Sequence, residues 1–245
     1  MAVLLILVDG MRPDAIPNHP AVERVTQRAF YTMQARTVLP SKTLPCIMSL
    51  FQGVGPQAHR VVTNVFTSRS ELTDGLCEVL SRQGKSCALF YNWEPLRDVS
   101  RPGSAAYSCC SNGEKIGFDK ANQIVTDQAI SYLADGDRDF VFLYLGNTDA
   151  VGHRCGWMSQ NYLDAVKESW DLIETVLDSL TEDDTVIITA DHGGHDKSHG
   201  VDVPEDMTIP LMVMGKTISP GEIPGQVSIL DIAPTIVNLL GAEPN

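Results

Sequence analysis

Apolar segments of strand length alternate along this chain with segments of helical period. The first, Ala2–Val8, is a run of seven apolar residues without a charge. Strands that are apolar on both faces are typical of parallel sheets buried between layers of helices. Parallel strands also need crossover connections, which the intervening helices supply. The sequence therefore predicts the α/β class, with a doubly wound, mostly parallel sheet and helices on both faces.

The other predicted elements follow the same alternation. Helices are expected where apolar residues recur every three or four positions before a glycine, as in the segment ending at Gly84. The predicted strands are Ala2–Val8, Tyr31–Val38, Ser86–Tyr91, Phe140–Leu145, Thr185–Ala190 and Ile209–Met214. One predicted helix starts near Asn18. The other predicted helices cover Leu44–Gln52, Glu71–Gln83, Ala121–Leu133, Ser159–Leu180 and Asp231–Leu240.

The length of 245 residues fits a single domain with a core large enough to fold without disulfides. Residues 1–245 are therefore expected to form one unit. Within it, the stretch 92–119 is rich in Gly, Pro, Ser and Cys and has no clear period. Because so long an irregular segment is unusual in a compact domain, it predicts a lid or a surface loop.

The charge of the chain excludes some partners. Lys plus Arg number 18 and Asp plus Glu number 31, so the net charge is −13. Without a basic stripe, a nucleic-acid polymer is not an expected partner. No apolar run approaches the roughly 20 residues that span a membrane, and no secretory signal is recognised, so no membrane association is expected. Six cysteines without a C-x-x-C pair predict reduced thiols and a cytoplasmic location. The oligomeric state is left open.

Carboxylates and imidazoles follow three of the predicted strands. Asp9 follows the first strand, and Asp149 comes after Phe140–Leu145 and a short turn. Asp191 and His192 follow Thr185–Ala190. Ligands of open α/β sheets bind at the carboxyl ends of the strands, so these side chains are expected to meet at one edge.

This mixture of oxygen and nitrogen donors suits zinc or a similar divalent ion. Three aspartates and three histidines are more ligands than one tetrahedral site with an open position can use. They suffice for two metals with three protein ligands each. Two divalent metal ions are therefore predicted, with Zn²⁺ favoured and Mn²⁺ as the alternative. The histidines are His153, His192 and His199.

The segment Leu39–Pro45 offers a nucleophile. Pro45 suits the first turn of a helix, which puts Thr43 near a helix N-terminus, where free N–H groups favour a phosphate. A hydroxyl needs a metal or a base to attack at neutral pH. From these residues alone both Ser41 and Thr43 are candidates, and plain helix capping is the other role open to Thr43.

Together these motifs resemble the alkaline phosphatase superfamily, most closely the compact bacterial form of its nucleotide pyrophosphatase/phosphodiesterase branch. They occur in the family's order over nearly the whole chain. The motifs are the strand ending in Asp9-Gly, the T-x-P segment Thr43-Leu-Pro45, Asp149-Ala-Val-Gly-His153, Asp191-His192-Gly193 and the later His199.

The resemblance implies roles for individual residues. One metal would be held by Asp149, His153 and His199. The second would be held by Asp9, Asp191, His192 and the oxygen of the nucleophile, Thr43. Asn64 would bind a phosphate oxygen beside the nucleophile, and His195 has no ligand role in the pattern.

The activity implied is a single-domain metallohydrolase that cleaves a small phosphate ester, either a phosphodiester or a nucleotide pyrophosphate, through a phospho-threonine intermediate. A phosphomonoesterase, with Lys42, Arg60 or Lys197 as an added cationic contact, and a phosphonate hydrolase use the same metal site. A non-catalytic metal-binding protein is a more remote alternative.

Two related activities are disfavoured. A sulfatase would need Cys or Ser in place of Thr43. A phosphomutase is disfavoured because its large second domain has no room here. Only six residues separate His192 from His199, so no large cap insertion is expected between them. A dinucleotide-binding domain is disfavoured by the absence of a G-x-G-x-x-G turn after the first strand.

Overall fold

The computed structural model describes residues 1–65, 73–135 and 138–243. Within these ranges the strands form a single sheet of eight. The strands are β1 (Val3–Val8), β2 (Phe30–Arg36), β3 (Cys87–Tyr91), β4 (Tyr107–Cys110), β5 (Phe140–Leu145), β6 (Thr185–Thr189), β7 (Thr208–Met214) and β8 (Gly221–Glu222).

The order across the sheet is β4-β3-β5-β1-β6-β7-β2-β8. The pairings are parallel except those of β7, which runs antiparallel to both β6 and β2. The prediction of a mostly parallel α/β sheet is therefore confirmed. The centre of the sheet is β5-β1-β6, so the first strand of the sequence lies in the middle of the molecule.

The sheet is covered on both faces. Successive side chains of a strand point to opposite faces, and each residue of β1, β5 and β6 is buried. Burial on both faces explains why these strands are continuously apolar rather than alternating.

The helices pack in two groups. One group gathers around α8 and includes α1, α6 and α7, and the other gathers around α2 and includes α3, α4 and α10. In the part of the chain that the structure describes, no helix combines the length and the apolar character needed to cross a membrane. The helices are α1 (Pro20–Arg28), α2 (Thr43–Gln52), α3 (Pro56–His59), α4 (Leu76–Arg82), α5 (Gly113–Ile116), α6 (Phe118–Asp135), α7 (Asn147–Cys155), α8 (Gln160–Ser179), α9 (Pro204–Met207) and α10 (Ile232–Leu239).

Three predictions need correction or qualification. The predicted turn between β5 and Asp149 is instead the first turn of α7. The helix expected over Glu71–Gln83 begins only at Leu76, after Gly75, and residues 71 and 72 lie outside the described residues. The segment 92–119 contains a 3₁₀ helix, the edge strand β4 and α5. Movement of this segment as a lid remains a prediction.

Candidate active site

The register of the three central strands brings the predicted ligands to one edge. Val8 of β1 lies beside Leu145 of β5, and Leu7 lies beside Thr189 of β6. The three strands therefore end at the same level, and the next residues of each leave the sheet together. Asp9, Asp149 and Asp191 come from these three exits, as predicted.

The turn after β1 is fixed by its neighbours. The carbonyl of Gly10 accepts hydrogen bonds from Trp157 Nε1 at 2.9 Å and from the Tyr162 hydroxyl at 2.8 Å. Gly10 has a φ of +68°, and a Cβ there would lie 3.2 Å from Cβ of Asp149. Glycine is required because the turn is left-handed and because Asp149 approaches it closely.

Helix α7 presents two predicted ligands on one face. Asp149 and His153 are four residues apart, a spacing that aligns side chains along a helix. Oδ2 of Asp149 lies 3.6 Å from Nε2 of His153. Both side chains of the motif therefore project from one helix.

The loop carrying His199 is held by a carboxylate that the sequence did not single out. Asp206, fully buried at α9, accepts hydrogen bonds from the backbone N–H of Gly200 and of Val201, at 2.8 and 3.1 Å. Its other oxygen lies 2.7 Å from Nδ1 of His195. His195 thus pairs with Asp206, and its exclusion from the ligand set remains a prediction.

The three candidate histidine ligands are oriented in the same way. Nδ1 of His153, His192 and His199 lies 2.7 to 2.9 Å from the backbone carbonyl of Lys197, Gly193 and Ser41, respectively. A carbonyl only accepts, so each Nδ1 carries the proton and each Nε2 presents a lone pair. Nε2 of His153 and Nε2 of His199 face each other at 3.1 Å. Two lone pairs at that distance repel each other unless a cation lies between them.

The three aspartates are short of hydrogen-bond donors. Oδ1 of Asp9, Oδ1 of Asp149 and Oδ2 of Asp191 are buried without a hydrogen-bond partner. The second oxygen of Asp9 accepts from the Tyr144 hydroxyl, and the second oxygen of Asp191 accepts from the N–H of Gly10 at 3.2 Å. A buried carboxylate without donors is costly, and a bound metal ion is one of the few groups that compensate it.

The pKa values of these groups reflect the same shortage. Burial raises the pKa of Asp149 and of Asp191 to about 6. Burial, together with the charges of Asp191 and Asp149, raises the pKa of Asp9 well above its usual range. Burial also lowers the pKa of His192 and His199 to about 4, so both imidazoles are neutral near pH 7. Neutral imidazoles are the form that binds metal.

Two groups of ligand atoms in the described part of the chain are close enough to hold a metal ion. Asp149, His153 and His199 form one, with the ligand atoms within 4.8 Å of one another. This is the first predicted set. Asp9, Asp149 and His192 form the other, whereas the second predicted set has Asp191 in place of Asp149. Oδ2 of Asp191 nevertheless lies 3.2 Å from Nε2 of His192. The division of the aspartates between two ions remains a prediction.

The two candidate hydroxyls differ in what they face. Thr43 is the first residue of α2, and its Oγ1 lies 3.2 Å from Nε2 of His192. Ser41 is also buried, but its hydroxyl donates to the carbonyl of Val201 at 3.1 Å. Of the two hydroxyls, only that of Thr43 lies against the cluster of candidate ligands.

Asn64 lies at the same helix N-terminus. Its Oδ1 accepts a hydrogen bond from the backbone N–H of Leu44 at 3.0 Å. The side chain therefore lies at the start of α2, next to Thr43, where its oxygen binds the helix N-terminus. Arg60 is exposed at the end of α3 and does not line the cavity described next.

A cavity of about 270 Å³ opens onto Thr43. Besides six of the predicted site residues, it is lined by side chains that the sequence analysis did not select. Tyr144 was considered only as part of a buried strand, and Trp93, Glu114 and Phe118 belong to the aperiodic stretch 92–119. Its lining includes Asp9, Thr43, Asn64, Asp149, His153, His199, Tyr144, Trp93, Glu114 and Phe118.

Residues 3–211 match the family described as type I phosphodiesterase / nucleotide pyrophosphatase. Among curated proteins, the chain is 29% identical over 149 residues to a phosphopentomutase of Desulfitobacterium hafniense, a match that covers 60% of this chain and 36% of the relative. It is 32% identical over 126 residues to a phosphopentomutase of Alkaliphilus metalliredigens, covering 51% of this chain and 32% of the relative. The chain therefore spans about a third of the length of these relatives.

Solved structures share the fold. Murine ectonucleotide pyrophosphatase / phosphodiesterase 5 superposes with a TM-score of 0.83 and 15% identity, covering 99% of this chain and 96% of that one. A 2-O glycosaminoglycan sulfatase, BT1596, superposes with a TM-score of 0.82 and 15% identity, covering 100% of this chain and 71% of that one. At this identity the likeness shows the alkaline-phosphatase-like α/β architecture alone.

Proposed function

Because the chain belongs to the type I phosphodiesterase / nucleotide pyrophosphatase family, within the alkaline phosphatase superfamily, we propose that it is a two-metal phosphoric-ester hydrolase. The proposed substrates are small phosphodiesters or nucleotide pyrophosphates, cleaved through a phospho-threonine intermediate at Thr43. Family membership supports an enzyme that acts on phosphoesters, and the residues of this chain support the finer assignment.

The observation that carries the proposal is a cluster of hydrogen-bond acceptors that lack donors, gathered around one hydroxyl. Three buried carboxylate oxygens lack hydrogen-bond donors, and three imidazoles present lone pairs to the same edge. Thr43 Oγ1 lies against this set. Such an arrangement is compensated by divalent cations and by little else.

The residues present fit a pair of divalent ions, with zinc favoured and manganese as the alternative. Asp149, His153 and His199 would hold one, and Asp9, Asp191, His192 and Thr43 the other. Ions in these positions would supply charge that stabilises the alkoxide of the nucleophile and the oxygens of the phosphate.

The chain's own groups act on the ester in three ways. Thr43 Oγ1 attacks phosphorus, so a bond forms to the threonine while the bond to the leaving alcohol breaks. At the N-terminus of α2 the backbone N–H of Thr43 can donate to an anion, whereas the N–H of Leu44 donates to Asn64 and Pro45 has none. Asn64 lies beside them and offers its amide to a phosphate oxygen that gains charge in the transition state. Hydrolysis of the phospho-threonine then restores the hydroxyl.

A second candidate is phosphoryl transfer between positions of a sugar phosphate. The phosphopentomutase relatives support this alternative, although a phosphomutase is disfavoured from the sequence alone. Transfer and hydrolysis share the first step at Thr43. They differ in whether water or a second hydroxyl of the substrate accepts the phosphoryl group.

The test is a paired assay on protein of known metal content. We expect bis(p-nitrophenyl) phosphate to be hydrolysed with a higher kcat/KM than p-nitrophenyl phosphate. Ribose 1-phosphate, followed by ³¹P NMR, tests the alternative, since a mutase would form ribose 5-phosphate without releasing phosphate. Bound metal with none of these activities would contradict the proposal and favour a phosphonate hydrolase or a non-catalytic metal-binding protein.

We also propose a cytoplasmic location, as predicted from cysteine usage.

A further inference from the structure

The cavity at Thr43 adjoins a larger one, and the two share part of their lining. A cavity of about 650 Å³ lies between the α5–α6 segment and helices α7 and α8. Three residues line both cavities, namely Glu114, Phe118 and Ala150. A phosphate ester bound at Thr43 would therefore extend its organic substituent past Phe118 and Glu114 into the larger cavity.

The passage between the two cavities has an aromatic and an acidic wall. Phe118 packs against Gly146, where a Cβ would lie 3.1 Å from the ring. A side chain at position 146 would crowd the ring, so the glycine leaves room for Phe118 beside the start of α7. Trp93 lines the smaller cavity on the same side, and Glu114 is exposed at the junction.

The larger cavity is lined mainly by negatively charged side chains. Its lining contains the carboxylates of Glu114, Asp119, Asp164 and Glu168, against the single guanidinium of Arg154. Two divalent ions at the other end would make the nucleophile end the positive one. The joined cavities would then have opposite polarity at their two ends.

We propose that the joined cavities select phosphate esters whose organic substituent carries an ammonium group, with Glu114 as the main specificity-determining residue. The inference rests on the proposed function and refines its substrate class. The phosphate of such a zwitterionic ester lies at the metal end, and its ammonium lies against Glu114 and the aromatic rings, which both attract cations. The additional phosphates of a nucleoside polyphosphate would instead lie against carboxylates, which disfavours them.

The experiment compares two esters of the same size. p-Nitrophenyl 2-aminoethyl phosphate carries the ammonium, and p-nitrophenyl propyl phosphate replaces it with a methyl group. We expect the aminoethyl ester to have a kcat/KM on the order of tenfold higher, with the preference falling several-fold in 0.5 M NaCl because exposed charges are screened. Equal rates, or preference for the propyl ester, would overturn the inference while hydrolysis of the propyl ester upholds the proposed function.

Variants assign the preference to Glu114. Glu114→Gln should reduce the ratio of the two kcat/KM values at least about threefold, and Glu114→Lys should invert it, since these exchanges remove or reverse an exposed charge. Glu222→Gln, an equally exposed carboxylate in β8 at the opposite edge of the sheet, should leave the ratio unchanged. An unchanged ratio in Glu114→Lys would contradict the assignment.

A binding measurement separates recognition from turnover. Calorimetric titration of the metal-loaded Thr43→Ala protein with 2-aminoethylphosphonate and with propylphosphonate compares the same two groups without cleavage. Tighter binding of the aminoethyl compound supports the inference, and equal binding contradicts it. If no p-nitrophenyl diester is cleaved by the unmodified protein, the proposed function fails first, and the inference fails with it.

Discussion

The central strands β5, β1 and β6 have aspartates at both ends, and the two ends differ in their supply of hydrogen-bond donors. At the amino end, Asp184 accepts from the N–H of Ala2 at 2.8 Å and from the N–H and hydroxyl of Thr181 at 3.0 and 2.7 Å. At the carboxyl end, Asp9 and Asp191 each have a buried oxygen without a donor.

This contrast appears in the pKa values. Burial would raise the pKa of Asp184, but hydrogen bonds from Ala2 and Thr181 outweigh it and the pKa is lowered. Burial raises the pKa of Asp191 to about 6 instead. Carboxylates of one sheet thus stabilise the fold where backbone donors meet them, and destabilise it where they are buried without donors. The carboxyl end of the sheet therefore has the unsatisfied acceptors expected of a ligand site, whereas the aspartate at the amino end contributes hydrogen bonds that stabilise the fold.

The largest expected effect is at the nucleophile. Thr43→Ala should lower kcat for bis(p-nitrophenyl) phosphate on the order of 10³-fold or more, because the other candidate nucleophile, Ser41, donates its hydroxyl to the carbonyl of Val201 instead of facing the cluster. Metal content, measured by mass spectrometry, should stay near that of the unmodified protein. Thr181→Ala is the matched control at the amino end and should retain turnover. Normal turnover in Thr43→Ala would indicate direct attack by water or a role for Ser41.

The next effect separates function from stability. Asp191→Asn should weaken metal binding at least about tenfold, since it removes a charged ligand. In the chelator-treated protein it should raise the free energy of unfolding by up to about 3 kcal/mol near pH 7.5, because a carboxylate with a pKa of about 6 no longer has to ionise in the interior. Urea unfolding measures the second effect. A loss of stability in the metal-free variant would contradict the interpretation of Asp191 as an uncompensated charge.

The affinity for metal should depend on pH, because the carboxylates at the carboxyl end of the sheet have raised pKa values. Asp149 and Asp191 take up protons as the pH falls through about 6, whereas His192 and His199 remain neutral until about 4. Metal affinity should therefore fall between pH 6 and pH 4, by up to about a hundredfold per unit if both carboxylates are protonated. Equilibrium dialysis at pH 7.5, 6.0 and 5.0 tests this. Affinity that is constant down to pH 5 would show that these carboxylates are not the ligands.

Much of the carboxyl end could be predicted from the sequence. Continuous apolar runs identified β1, β5 and β6, and the polar residues after them identified Asp9, Asp149 and Asp191. The T-x-P segment identified Thr43. These signals are local, because a buried parallel strand and the residue that ends it are adjacent in the chain.

Other features depend on tertiary contacts that no local pattern encodes. The edge strand β4 is short and largely exposed, so it lacks an apolar period. Helix α7 contains Gly152 and few apolar residues, which made it look like a turn. Asp206 was not predicted because its partner, the loop at Gly200, is close to it only in the folded chain. Glu114 likewise borders the cavity only once the chain is folded.

The smallest effect is expected at the amino end. Asp184→Asn should lower the free energy of unfolding by about 1–3 kcal/mol, because it weakens a buried acceptor of three hydrogen bonds. The lowered pKa implies that this stabilisation is present above about pH 4 and is lost as the pH falls through the folded-state value. Activity per folded molecule and metal content should not change. Thermal unfolding measures the change in stability. A lower metal content in Asp184→Asn would contradict the conclusion that the amino end of the sheet stabilises the fold independently of the metal site.

The most direct test is the metal stoichiometry of the carboxyl end. Zn²⁺ is titrated by calorimetry into the chelator-treated protein and into its Asp149→Asn, Asp191→Asn and Asp184→Asn variants. The unmodified protein and Asp184→Asn should each bind two ions per chain, and the other two variants should lose at least one. Fewer than two ions in the unmodified protein, or two ions retained when Asp149 and Asp191 are replaced, would contradict a bimetal site at this edge of the sheet.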